Sequence, residues 1–212
     1  MKRLLLLLLL SFPLMADEVV CIHGFMRKAS CMKPLEKRLK EEGFSVSRWG
    51  YPSRKKTISQ HADDLVAFLQ TRHEPLHFVT HSLGGIILRA ALNHPDCPPQ
   101  AREGRIILLA PPNHGSKTAR RLCHLPTVRS IFGPFCGREL LHYTHDEIKA
   151  FGPLPPTTTV IAGKKDWKVR LEETHLETQH KHYIVPCGHC FIMCNKEAQK
   201  IVIDSLRAFP YN

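Results

Sequence analysis

Five short stretches of this chain are apolar almost without interruption: Val19 to Ile22, Leu76 to Thr80, Ile106 to Ala110, Val160 to Ala162 and Tyr183 to Val185. A strand with one face in water alternates apolar and polar residues. Continuous runs therefore predict strands covered on both faces, as in a parallel sheet between layers of helices. Phe44 to Trp49 alternates instead and suits a strand nearer an edge. Helical periods fill the gaps. Ser30 reads as the cap of a helix with Met32, Leu35 and Leu39 on one face and Gly43 at its end. Ile58, Ala62, Leu65, Val66 and Leu69 share a second face, and Ala198, Ile201, Val202 and Leu206 follow an Asn195 cap. Strand and helix in alternation imply an α/β fold with right-handed crossovers.

At 212 residues, 43% of them apolar, the chain has material for one sizeable core and is neither a disordered polymer nor a fibrous repeat. Prolines crowd the stretch from Pro95 to Pro156, and Leu125 to Tyr143 carries apolar residues without a sustained period. We read about 111–156 as a cap-like insertion within a single domain spanning 17–212. Residues 1–16 stand apart: Lys2 and Arg3, the apolar Leu4 to Leu10, then Pro13 to Ala16 before Asp17. That is the pattern of a cleaved export signal, too short to span a bilayer, with an uncleaved interfacial anchor as the alternative. Export places the protein in a periplasm or outside the cell.

The most informative segment is Phe78-Val79-Thr80-His81-Ser82-Leu83-Gly84-Gly85, where a strand runs directly into Ser82 and an apolar helix begins at once. A serine on so sharp a turn is lifted above the sheet edge, and Gly84 lets the turn and the packed strand approach. The Leu83 amide then faces the place where charge develops on a carbonyl oxygen. A serine that only caps the helix would occupy the same position.

This segment resembles the nucleophile elbow of the α/β-hydrolases and is most similar to that of lipase- and esterase-like members, with Thr80 replacing the first glycine of Gly-x-Ser-x-Gly. The resemblance implies an α/β-hydrolase fold: a mostly parallel central sheet flanked by helices, with a short cap insertion after the fifth strand region. It also implies a serine hydrolase of acyl esters, with acyltransferase, phospholipase and thioesterase as alternatives on the same residues. Val20 to Phe25 resembles the family's first-strand His-Gly loop, which makes Phe25 the second oxyanion donor beside Leu83, and Met26 the near alternative. Leu109 to Ser116 and Gly133 to Leu140 are similar to a loop and a cap motif at the pocket mouth.

Serine needs a base to take its proton and an oriented partner to hold that base. Of fourteen histidines, His189 follows the last apolar run, immediately before the terminal helix, in the position the resemblance assigns to the base. His23, His81 and His114 are expected to line the cleft. The acid should follow Thr159 to Ala162; Asp166 lies there, in a loop similar to the family's Asp-Gly-Lys-Val, with Trp167 replacing the glycine. Glu172 and Glu173 are the reserve.

Cys187-Gly188-His189-Cys190 also matches a thiol-disulfide oxidoreductase motif, but only about one helix of chain remains after it. A zinc site from Cys187, His189, Cys190 and Cys194 would crowd four ligands onto one loop. The expected reading therefore has no cofactor and no metal. Among eight cysteines, Cys123 and Cys136 are the disulfide pair to test, and Cys21 is expected as a buried thiol. Phe25, Phe132, Phe135 and Phe191 are candidates to line an acyl channel. A non-catalytic binding protein would keep the same fold. The net charge of +11, with Lys and Arg concentrated from Arg27 to Lys56 and around Lys164 to Arg170, suits an anionic membrane surface better than nucleic acid, for which no aromatic-interleaved basic motif exists.

Overall fold

The computed structural model describes residues 18–72 and 75–208; residues 1–16, expected from the sequence to be an export signal, lie outside them. In chain order the elements are β1 (Glu18–Ile22), α1 (Lys33–Glu41), β2 (Ser45–Trp49), α2 (Ile58–Leu69), β3 (Leu76–His81), α3 (Leu83–Leu92) and β4 (Ile106–Leu109). Four short helices follow, α4 (Lys117–Leu122), α5 (Pro126–Phe132), α6 (Cys136–His142) and α7 (His145–Lys149), then β5 (Thr159–Gly163), β6 (Lys181–Val185) and α8 (Lys196–Arg207). The strands form one sheet in the order β2-β1-β3-β4-β5-β6, and every pair is parallel.

Alternate residues of the central strands feed two cores. Val20, Ile22, Phe78, Leu108 and Val160 pack with α2 and α3 on one face. Val19, Cys21, Val79, Ile107 and Ile161 pack with α1 and α8 on the other. Each fully buried side chain of this size is worth about 1.5–3 kcal/mol, so the uninterrupted runs stabilise both layers at once. β6 departs from that pattern: Tyr183 and Ile184 are exposed, because β6 ends the sheet and pairs with β5 alone.

Ser30 caps nothing. It lies inside a 3₁₀ turn (Ala29–Met32) that leads into α1, and Pro34 occupies the first turn in place of a side-chain cap. Gly43, at φ 92°, follows α1 as expected. Asn195 does cap α8, its side chain accepting the Ala198 amide.

The insertion leaves the sheet after β4, the fourth strand in chain order. It is helical despite its irregular pattern, because four helices of five to seven residues are too short to establish a period. Polar contacts dock it on the β2–α2 loop. The Cys136 thiol donates to the Ser53 carbonyl, and Glu139 accepts the Ile58 amide. Cys136 is thus a buried free thiol, and so is Cys21, while Cys123 is a free thiol nearer the surface; the Cys123–Cys136 disulfide does not form.

Two polar side chains, Arg89 buried and His182 half-buried, tie the later chain to α3 and β6. Arg89 on α3, only 1% exposed, donates to Glu177 Oε2 at 2.9 Å and to the Gly152 carbonyl. On β6, His182 stacks on His175 at 3.9 Å and shares a hydrogen bond with Thr174 Oγ1. Burial, followed by the neighbouring His175 and His180, lowers the His182 pKa to about 4.

Glu177→Ala should leave the Arg89 cation buried without its carboxylate and lower the unfolding free energy by about 3 kcal/mol in urea titration. For His182, the unfolded chain binds a proton near pH 6.5 and the folded chain only near 4. Its contribution to stability is therefore complete above pH 6.5 and lost as pH falls towards 4. Melting temperatures measured across that range should fall less steeply in His182→Gln than in the parent.

Candidate active site

The strand order reverses beside β1: the chain steps from β1 outward to β2, then crosses back to β3 on the other side. The loops after β1 and β3 therefore diverge to opposite faces and leave a crevice at the carboxyl ends of the strands. Phe25 follows β1 and Ser82 follows β3, so both candidates flank this crevice.

Ser82 has φ 52° and ψ −123° and is only 7% exposed. Its amide donates to the Leu109 carbonyl and its own carbonyl accepts from Gly85, which hold the turn. The side chain makes no cap bond to α3, so a mere helix cap does not account for it. The turn needs glycine at two neighbours. A Cβ on Gly84 would lie 2.7 Å from the His23 carbonyl oxygen, and one on Gly24 would lie 2.9 Å from His81 Nδ1. Thr80 is accommodated because Gly85 faces it: a Cβ there would stand 3.1 Å from Thr80 Oγ1.

Three sequence candidates come together in series. His189 Nε2 lies 3.0 Å from Ser82 Oγ, and His189 Nδ1 lies 2.6 Å from Asp166 Oδ2. Asp166 sits on the turn after β5 with its side chain fully buried. Its other oxygen accepts the Lys168 and Val169 amides at 2.8 and 3.0 Å, which fixes the carboxylate towards the imidazole. Trp167 points outward, 65% exposed, so its replacement of glycine leaves the turn intact. Glu173 is buried elsewhere, accepting the Lys117 and Arg170 amides, and neither it nor Glu172 contacts His189.

His81 has a role that the sequence reading described only as cleft lining. Its Nε2 lies 3.0 Å from the His189 carbonyl oxygen, which makes that nitrogen the donor and anchors the His189 backbone. Burial first, then the adjacent His189, lowers its pKa to about 3, so it stays neutral. His23 does not line the cavity. It stacks on Tyr51 at 4.3 Å, accepts the Tyr51 amide at Nε2 and receives the Tyr51 hydroxyl at its carbonyl, which stiffens the loop carrying Phe25. Tyr51 carried no signal in the sequence beyond being aromatic. His114 also lies outside the cavity, packed against His145. Of the two amides considered beside Leu83, that of Met26 is already bonded to Ser53 Oγ, whereas that of Phe25 has no acceptor among the described residues.

A cavity of about 360 Å³ opens over Ser82 and His189, with Phe25, Phe132, Leu140, Arg27 and Lys168 in its wall. Phe135 and Phe191 are exposed and do not line it, the latter because it sits at a kink in the 3₁₀ segment His189–Cys194. Both ring nitrogens of His189 are occupied, which removes it from the conceivable zinc set. Burial and the Asp166 carboxylate raise the Cys187 pKa, the opposite of what a redox nucleophile needs. Among the described residues, His114, His145 and Glu177 bring possible metal-ligand atoms within 4.8 Å of one another, but Glu177 is already held by Arg89 and His145.

Comparison with solved structures finds the same fold. The ydeN gene product from B. subtilis superposes with TM-score 0.65 at 20% identity, over 91% of this chain and 100% of that one. Bacillus licheniformis lipase BlEst2 in mature form gives 0.67 at 15% identity over 91% and 92%, and a bromoperoxidase from Bacillus anthracis 0.69 at 13% over 91% and 92%. At these identities the likeness concerns the fold alone. A comparison of the sequence with curated proteins finds no match. Residues 19–175 match the model of the alpha/beta hydrolase family, and with its parallel sheet and sharp β3–α3 turn the chain belongs to that family.

Proposed function

We propose that the protein is an exported serine hydrolase of carboxylic acyl esters, with Ser82 as nucleophile, His189 as base and Asp166 as its orienting acid. One observation carries this reading: the two hydrogen bonds, 3.0 and 2.6 Å long, that link Ser82 Oγ through His189 to a buried Asp166. The cavity over Ser82 has room for a small acyl ester.

In the proposed reaction Ser82 Oγ attacks the ester carbonyl as its proton passes to His189 Nε2. Asp166 keeps the imidazole in the tautomer that accepts at Nε2 and stabilises the imidazolium that forms. The Phe25 and Leu83 amides hold the oxyanion, a contribution typically worth about 3 kcal/mol per donor. The proton then leaves with the alcohol, and water, activated by the same histidine, releases the acid. His81 acts through position, holding the main chain of His189. Export rests on residues 1–16, and attraction to an anionic membrane surface rests on the net charge, +11 for the full chain and +9 once Lys2 and Arg3 leave with residues 1–16.

A fluorophosphonate probe should label Ser82 in the purified protein; equal labelling of Ser82→Ala would overturn the assignment. Asp166→Asn should keep the fold by circular dichroism but lower kcat roughly 10,000-fold, because the amide favours the wrong histidine tautomer. Vesicle flotation should recover more protein with acidic lipid than with neutral lipid, and identical recovery counts against the membrane reading.

A further inference from the structure

The cavity over Ser82 has two chemically different walls. On the cap side Phe25 stacks on Phe132 at 5.0 Å, with Leu140 beside them. Elsewhere in the lining stand Arg27 and Lys168, the latter beside Cys190, which follows His189, and no carboxylate lines the cavity. Asp166 does not neutralise them: it is buried behind His189, with its oxygens taken by that imidazole and two backbone amides.

Both cations are half-buried, and neither has a carboxylate partner among the described residues. The Arg27 guanidinium has no hydrogen-bond acceptor there either. Arg27, His81 and His189 line the same cavity, and after burial and His189 the Arg27 charge also depresses the His81 pKa. Lys168 Nζ lies 3.3 Å from the sulfur of Cys190, the residue after His189, and 5.6 Å from the Trp167 ring centroid. Lys164 and Lys165 add positive charge on the same turn. A cation partly removed from water and left without a counter-charge is costly, and an anionic ligand offsets that cost. Within a cleft of low dielectric the two charges also concentrate their field on whatever enters.

The direction of the reaction decides which half of the substrate meets these charges. Ser82 Oγ forms the new bond to the acyl carbon while its proton moves to His189 Nε2. The ester C–O bond then breaks and the same proton goes to the departing alkoxide oxygen. The alcohol half must therefore lie beside His189, and the acyl half falls against Phe25 and Phe132. Water repeats the transfer and yields the carboxylic acid, with no net oxidation.

We infer that the substrate is an ester of an apolar acyl chain with an alcohol that carries an anionic oxygen group, a phosphate or a carboxylate, bound between Arg27 and Lys168. This rests on the hydrolase reading above and names its substrate class. The preference belongs to the single substrate molecule, not to a membrane surface.

The test compares three monomeric butyrate esters: those of glycerol, glycerol 3-phosphate and glyceric acid. kcat/KM for the two anionic esters should exceed that for the glycerol ester by about tenfold at low ionic strength, mainly through KM, and the advantage should shrink as salt is added. The relative rates of the phosphate and carboxylate esters identify the anion preferred. Arg27→Gln should bring the anionic-to-neutral ratio towards one. Because Arg27 lies on the loop that shapes the cavity, Lys168→Gln supplies a second reading in the same direction. Lys37→Gln, on the exposed face of α1 and 81% exposed, should leave the ratio unchanged. Turnover of the neutral ester with a wild-type ratio of one or below, or a ratio unmoved in both cavity variants, overturns the anionic subsite and leaves the hydrolase reading standing. No turnover of any ester, with Ser82 unlabelled by the probe, overturns both.

Discussion

Ser82 is held at φ 52° between a strand whose residues are all buried and a helix that starts at the next residue, and the surrounding structure exists to keep it there. A non-glycine residue at such an angle costs about 1–3 kcal/mol and persists only where its neighbours leave no alternative. Here the strand cannot slide, because β3 is paired on both sides. The helix cannot retreat, because α3 is buried along nearly its whole length. Gly24 and Gly84 remove the Cβ atoms that would push the turn away from the β1 loop.

The strain is not confined to one turn. Among the described residues, the non-glycine positions with positive φ are Met26, Ser82 and Ala110, which follow β1, β3 and β4. All three lie at the carboxyl edge of the sheet, where three neighbouring strands open the crevice. Regular backbone is spent on the two cores below, and irregular backbone is gathered where side chains and amides must converge. His81 and the His23–Tyr51 stack serve the same end: they are polar groups buried beside the site, bonded to the main chain of the loops they steady.

Much of this was legible from local pattern. Runs such as Ile106 to Leu109 are buried on both faces, so their lack of alternation pointed to a covered parallel sheet. Tyr183 and Ile184 look the same in sequence yet are exposed, because apolar composition reports propensity while coverage depends on what packs above. The cap helices went unread because each is too short for periodicity. Thr80 and Trp167 looked like defects in their motifs. Thr80 is relieved by Gly85 across the turn, and Trp167 projects into solvent.

The order of Ser82, Asp166 and His189 along the chain, each after its own apolar run, was determined by the sequence alone, because a strand, a sharp turn and a helix start are local features. Tertiary structure decided the rest. Only the fold could bring Asp166, and not Glu172 or Glu173, against His189, since that depends on which carboxylate the turn after β5 aims at an imidazole 23 residues away in sequence. Only the fold could occupy the Met26 amide with Ser53, remove Phe135 and Phe191 from the cavity, and bring Arg27 and Lys168 into its lining with His189. These are contacts between distant segments, fixed by how the crossovers stack their loops over one edge of the sheet.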